Sequence, residues 1–403
     1  MRFFSLLLIS LLLLACNEES STLKPGEWRA TLDLGDSKEL PFNFSLSEDL
    51  VMEIRNAEEK VMVEDIVLQG DSITISHPIF EGVFKGTFTS ERISGDFIKP
   101  SLDRVVPFEM VYGDTDRFKD VDYPMYGAEG VYEMEFTEDD GATFVGKAIL
   151  EANEKGIVGT IRTTTGDYRY LEGKVDNDTL RLSTFDGAHA FLFEAKFRGT
   201  DSLSNGTFYS GNHYTASFWA KRNSNYELPD PDSLTFLKPG FDRFNFDFPD
   251  AEGKSWSLDD PQFKDKVVVV QIMGTWCPNC LDESKYFAKY LSENPNSDVE
   301  FIALAFEYAK TEESAFAGVS RLKNRLKLPY PIALAQFGSS DKKLANEKLP
   351  MLNHVLSYPT TIILDKSGEV RKIHTGFNGP ATGEKYTEFT QEFEAFLAEL
   401  SAE

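Results

Sequence analysis

An apolar run interrupted only by Gln271, Val267-Val268-Val269-Val270-Gln271-Ile272-Met273, leads through Gly274-Thr275 into Trp276-Cys277-Pro278-Asn279-Cys280, and nothing else in the 403 residues restricts the fold so tightly. The run reads as a buried strand, and the cysteine pair as the opening of the helix that follows. At a helix start, unpaired backbone N–H groups and the helix dipole stabilise a thiolate, the species that attacks a disulfide. Two intervening residues put Cys280 one turn after Cys277, close enough for a reversible disulfide. The pair reads as a thiol–disulfide exchange centre.

Zinc would need more ligands than this stretch supplies. Structural zinc takes four, commonly two such pairs or one pair plus a histidine pair. The third cysteine, Cys16, lies far upstream, and His77, His189, His213, His354 and His374 form no spaced pair. No metal and no cofactor are expected. Well downstream, Tyr358-Pro359-Thr360-Thr361-Ile362-Ile363-Leu364 has the pattern of a turn entering a strand. Proline belongs at a strand start, where its missing N–H costs nothing, and it is where a cis X–Pro bond is kept if the turn requires one.

With both motifs in place, residues 241–403 resemble the thioredoxin fold, and within it the TlpA/ResA-like group of membrane-anchored thiol–disulfide oxidoreductases. Phe246 to Leu258 is similar to that group's opening hairpin, and Lys264 to Val269 to its approach to the central strand. The resemblance implies that Cys277 is the nucleophile and Cys280 the resolving cysteine. It implies that Pro359 is the cis-proline facing the disulfide, with Trp276, Pro278 and Tyr358 completing the substrate-binding surface. Glu283 matches the carboxylate the group carries three residues after its second cysteine. A physical argument supports the same residue: positions i and i+3 share a helix face, and a partly buried carboxylate with a raised pKa can exchange a proton with a buried thiol. Gln271, six residues before Cys277, cannot titrate.

The inter-cysteine residues Pro278-Asn279 differ from the usual pattern of proline directly before the second cysteine, and Tyr358 is bulkier than usual. These residues tune the thiolate and the redox poise, so reductase and oxidant both stay open. Peroxiredoxins share the fold but carry a threonine three positions before their reactive cysteine. Here Gly274 holds that position and Thr275 lies one residue later, which favours disulfide exchange over a thiol peroxidase. Electrons are expected from a membrane-embedded thiol reductant, since no nicotinamide or flavin motif is present. The implied substrates are apocytochrome or other extracytoplasmic cysteine proteins.

The N-terminus points to the cell envelope. Arg2 and the apolar run Phe3 to Ala15 have the form of a signal peptide, too short for the roughly 20 residues of a spanning helix. Leu13-Leu14-Ala15-Cys16 resembles the bacterial lipobox, which implies cleavage after residue 15 and membrane attachment through lipidated Cys16. Residues 16–23 are then a polar tether on a periplasm-facing or surface-facing lipoprotein. A formal charge of −25 with no basic cluster argues against nucleic acid as a partner.

Residues 24–222 carry short alternating strands separated by turn signals such as Gly70-Asp71 and Ser204-Asn205-Gly206. An internal repeat at an offset of roughly 105 residues pairs Gly26 to Leu32 with Gly130 to Phe136, and Phe84 to Phe88 with Phe193 to Phe197. Two β-rich copies, 24–112 and 128–222, are expected as lipocalin-like barrels or sandwiches of seven or eight strands each, or as one two-lobed β structure. His213 and Tyr214 read as ordinary strand residues. Proline-rich 223–240 reads as a stiff linker. The expected fold is therefore multidomain, all-β followed by α/β. The β half is expected to position the α/β half or bind a partner. The rival reading is a ligand- or partner-binding lipoprotein whose thioredoxin-like half is accessory.

Overall fold

The computed structural model describes residues 22–119, 127–154, 156–295 and 297–403; the signal sequence and Cys16 lie outside them. Two antiparallel β meanders precede one α/β domain. The first has nine strands, from Gly26–Gly35 to Arg104–Tyr112, each pairing with its neighbour in sequence except at one place. First and last strands pair, Trp28 opposite Tyr112, so the sheet curls round on itself. Its seam lies between Glu59–Val63 and Asp65–Gln69, consecutive strands that do not pair.

The second meander closes completely. Gly130–Thr137, Thr143–Asn153, Gly156–Thr163, Leu171–Asp176, Thr179–Phe185, Ala190–Arg198, Ser202–Ser210 and Tyr214–Arg222 follow in order. The last pairs with the first, Tyr132 opposite Arg222, and Thr143–Asn153 pairs with Gly156–Thr163. Eight strands make a barrel just wide enough to be filled by side chains. Tyr132, Phe136, Phe193 and Phe208 are among those that fill it, and the void left beside Phe193 and Phe218 is about 10 Å³, too small for a ligand. Both barrel interiors are packed cores.

The C-terminal domain is built on a five-stranded sheet in the order Ile332–Gln336, Val299–Phe306, Val267–Met273, Thr360–Leu364, Val370–Thr375. Val267–Met273 is the central strand, parallel to Val299–Phe306 and antiparallel to Thr360–Leu364. Every residue of it is buried, which is why its sequence is apolar at every position but Gln271 instead of alternating. The helices are α1 (Pro278–Glu293), α2 (Glu312–Leu326), α3 (Lys342–Lys348) and α4 (Glu384–Ala402). α1 and α4 pack through Tyr286, Phe287, Phe389 and Phe393. Among the described residues, no helix is long and apolar enough to cross a membrane.

Residues 223–240 do not swing free. Leu237 bridges to Leu352, the Lys238 N–H donates to Met351 O at 2.8 Å, and the Thr375 N–H donates to Pro231 O at 3.1 Å. The connection is laid along the α/β domain, and the second barrel is thereby held against the start of α1.

Candidate active site

Cys277 caps α1: its Sγ accepts the Cys280 N–H at 3.2 Å, and Pro278 occupies the first turn, where a missing N–H is no loss. Both cysteines are free thiols. Cys277 keeps 7% of its surface exposed and Cys280 none. The Cys277 thiol donates to Tyr358 O at 3.3 Å, and the Tyr358–Pro359 peptide is cis. Trp276 donates through Nε1 to Phe306 O at 2.9 Å and meets the Tyr358 ring edge-on, 5.5 Å between centroids.

Behind the thiols lies a buried polar cluster. Glu283 has no exposed surface. Its carboxylate accepts from Thr361 Oγ1 at 2.7 Å and from Gln271 Nε2 at 2.8 Å, and Gln271 Nε2 also reaches Cys280 O at 3.4 Å. Burial pushes the Glu283 pKa up to about 7, against the pull of those two hydrogen bonds. Burial likewise raises the Cys280 thiol well above its ordinary value, with Cys277 adding to it. Glu283 thus sits inside the fold, one turn beyond Cys280, and neither of its hydrogen bonds comes from the thiol.

A second buried carboxylate was not foreseen from sequence. Glu307, at the end of Val299–Phe306, accepts from the Thr275 N–H at 2.7 Å and from Thr275 Oγ1 at 2.8 Å. It fixes the turn leading into Cys277, and burial raises its pKa to about 7.

The largest departure from expectation is where the β half sits. A tight hairpin of the second barrel, Thr163 to Asp167, lies on the dithiol motif. Asn279 Nδ2 donates to Asp167 O at 3.0 Å, Ser357 Oγ donates to Thr165 O at 2.7 Å, and the Gly379 N–H donates to Asp167 Oδ2 at 2.6 Å. The approach is close enough to require glycine. A Cβ on Gly166, whose φ is +134°, would lie 2.1 Å from Asn279 Nδ2. Arg169, two residues beyond the hairpin, donates to Pro278 O at 3.1 Å and pairs with Asp282 of α1, with Glu59 of the first sheet and, at 3.2 Å, with Asp186. One buried guanidinium therefore joins all three domains beside the dithiol. Arg169 and Asp167 carry no motif in the sequence, and the run from 163 to 170 falls outside the paired repeat segments.

Between the β half and the dithiol remains a cavity of about 420 Å³. Trp276, Cys277 and Tyr358 border it on one side, and Phe97, Lys99 and Phe191 on the other. His213 borders it too, from the turn that precedes Tyr214–Arg222 and not from the strand expected for it.

The Redoxin family model matches residues 239–388. Thiol-disulfide oxidoreductase ResA of Halalkalibacterium halodurans is 31% identical over 147 residues, 35% of this chain and 71% of that protein. Sporulation thiol-disulfide oxidoreductase A of Bacillus subtilis is 23% identical over 129 residues, 32% of this chain and 69% of that one. A solved thiol-disulfide oxidoreductase from Bacteroides fragilis aligns over 36% of this chain and 96% of its own, with 15% identity and a TM-score of 0.27.

Proposed function

The chain belongs to the thioredoxin-like thiol–disulfide oxidoreductases of the Redoxin family, and from that premise we propose that Cys277 and Cys280 are its exchanging dithiol, acting on extracytoplasmic cysteine substrates from a membrane anchor at Cys16. The observation that carries the reading is the position of Cys277. It caps a helix, receives the Cys280 N–H, and faces the carbonyl that precedes a cis proline.

In the forward direction the Cys277 thiolate attacks one sulfur of a substrate disulfide and expels the other, leaving a mixed disulfide. Tyr358 O, no longer taken up by the Cys277 S–H, becomes free to accept an N–H from the substrate beside Pro359. Trp276 and Pro278 border the same surface. Cys280 must then lose a proton that its burial holds in place. Glu283, titrating near 7 one turn away, is the base. With no direct hydrogen bond between the two, the proton crosses by a thiol rotation or through a water. The Cys280 thiolate attacks Cys277 Sγ, the substrate leaves as a thiol, and the enzyme disulfide is re-reduced by two electrons from a membrane-embedded thiol reductant.

Equilibration in dithiothreitol or glutathione redox buffers, thiol trapping and intact-mass readout test this directly. A potential near about −270 mV supports a reductase, whereas one near about −120 mV reverses the direction of flow. No Cys277–Cys280 disulfide at any poise removes the reading. For the anchor, Cys16→Ser should move the protein from the membrane to the soluble fraction and remove the acyl mass.

A further inference from the structure

We propose that the cavity beside Cys277 is a binding site for a low-molecular-weight anionic disulfide, which makes such compounds substrates of the closed molecule. The inference rests on the exchange reading above and goes beyond it in naming the substrate class.

The cavity has the size of a small-ligand site. About 420 Å³ falls in the range that takes a small organic ligand, of order 300–1,000 Å³. The barrel hairpin stays hydrogen-bonded to Asn279 and Ser357. A folded protein reaches Cys277 only by displacing it, whereas a small disulfide fits with the hairpin in place.

The cavity wall is also cationic. The chain as a whole is strongly acidic, at −25, yet this cavity is bordered by Lys99, Arg104 and Lys342. Among the described residues, none of the three has a carboxylate at ion-pair distance; Lys99 donates to the carbonyl of Ala188. Asp167 is the sole carboxylate on the cavity wall among those residues. It is held by the N–H groups of Gly379 and Arg169, and burial raises its pKa to about 6. Asp186 and Glu81 act on Lys99 from nearby but are engaged elsewhere, Asp186 by Arg169 and His189, Glu81 by the Ser101 N–H and Tyr308. Burial pulls Lys99 down to about 8, which leaves it cationic at neutral pH. Burial, with Arg104 and Lys99 adding to it, holds the His213 imidazole down at about 4 and therefore neutral.

Two polar atoms on that wall are unused. Asn279 Oδ1 and Tyr358 Oη are buried without a hydrogen-bond partner, and both residues border the cavity next to Cys277. Buried polar groups are ordinarily paired; here a ligand would complete them. Apolar Leu32, Phe97, Val106 and Phe191 supply the remaining wall.

The chemistry balances within the enzyme. The Cys277 thiolate attacks one sulfur of the small disulfide and releases the first thiolate. Cys280, its proton passed to Glu283, then attacks Cys277 Sγ and releases the second. Two thiols form, and the dithiol loses two electrons.

The test uses the full chain, reduced, with three aliphatic disulfides of similar size: dithiodipropionate (anionic), hydroxyethyl disulfide (neutral) and cystamine (cationic). Dithiol oxidation is timed by acid quench and mass, and each rate is divided by that of free dithiothreitol with the same disulfide. The expected order is anionic, neutral, cationic, with about tenfold between the first two at low salt. The double variant Lys99→Gln/Arg104→Gln should bring the anionic-to-neutral ratio close to one. Equal normalised rates in the wild-type chain overturn the proposal whatever the variant does, and so does a ratio that the double variant leaves intact. If none of the three disulfides oxidises the dithiol, the exchange reading itself falls.

Discussion

Glu283 is a fully buried carboxylate held by two hydrogen bonds, and its energetics follow from that setting. Its pKa in the folded chain, about 7, lies above the ordinary value of 4.5. Between those two values the folded state holds a proton that the unfolded state has released. The associated stability is fully present below pH 4.5 and lost as pH rises through 7, a contribution of about 3 kcal/mol. Melting temperatures of the wild type and of Glu283→Gln should therefore diverge between about pH 5 and pH 8, with the variant showing the flatter profile; parallel profiles would contradict the buried titration. The kinetic counterpart is sharper. Resolution of a trapped Cys277 mixed disulfide should accelerate as pH rises through about 7, and Glu283→Gln should slow it by about 10²-fold and remove that inflection. Rapid-quench measurement of mixed-disulfide decay distinguishes this from a structural role, which would slow the step without altering its pH dependence. Position 283 was legible because a helix puts i and i+3 on one face. Glu307 was not, because it meets Thr275 only through sheet pairing between segments distant in sequence.

At the scale of elements, the sequence was most informative where one physical requirement dominates. The central strand is buried on both faces, and its apolar run admits no other placement. The C-terminal helix likewise shows in the helical spacing of Tyr386, Phe389, Phe393 and Phe396, of which Phe393 enters the core and the other three pack against it. α3 escaped notice: its seven residues are mostly polar, and its start depends on Asp341 Oδ1 accepting the Lys343 and Leu344 N–H groups. The hairpin from Thr163 to Asp167 was also invisible, since nothing local distinguishes a turn facing solvent from one facing another domain. Gly166 is the element's weak point. Gly166→Ala should push the hairpin off Asn279, at a cost of about 1–3 kcal/mol, and should raise the rate of Cys277 alkylation by iodoacetamide roughly tenfold. An unchanged alkylation rate would mean that the hairpin does not guard the thiol.

For the whole molecule, the repeat and the all-β character of residues 24–222 were readable from turn spacing, but the contact between that half and the dithiol was not. That contact rests on residues 59, 169, 186 and 282, brought together only by the completed fold. Removing the central charge should be severe. Arg169→Gln removes the cation that Glu59, Asp186 and Asp282 share, leaving Lys285 beside Asp282 and His189 beside Asp186 as their remaining partners, a loss of about 3–5 kcal/mol, and hydrogen exchange should show the first turn of α1 and the strand Glu59–Val63 deprotected together. The same guanidinium has a calorimetric consequence. The second barrel cannot melt without taking the cation from Glu59 and Asp282, and the loss of either neighbour takes a buried carboxylate from Arg169, so unfolding is coupled across domain boundaries. A scanning calorimeter should record a single heat-absorption peak for the native chain, and Arg169→Gln should split it into separate transitions.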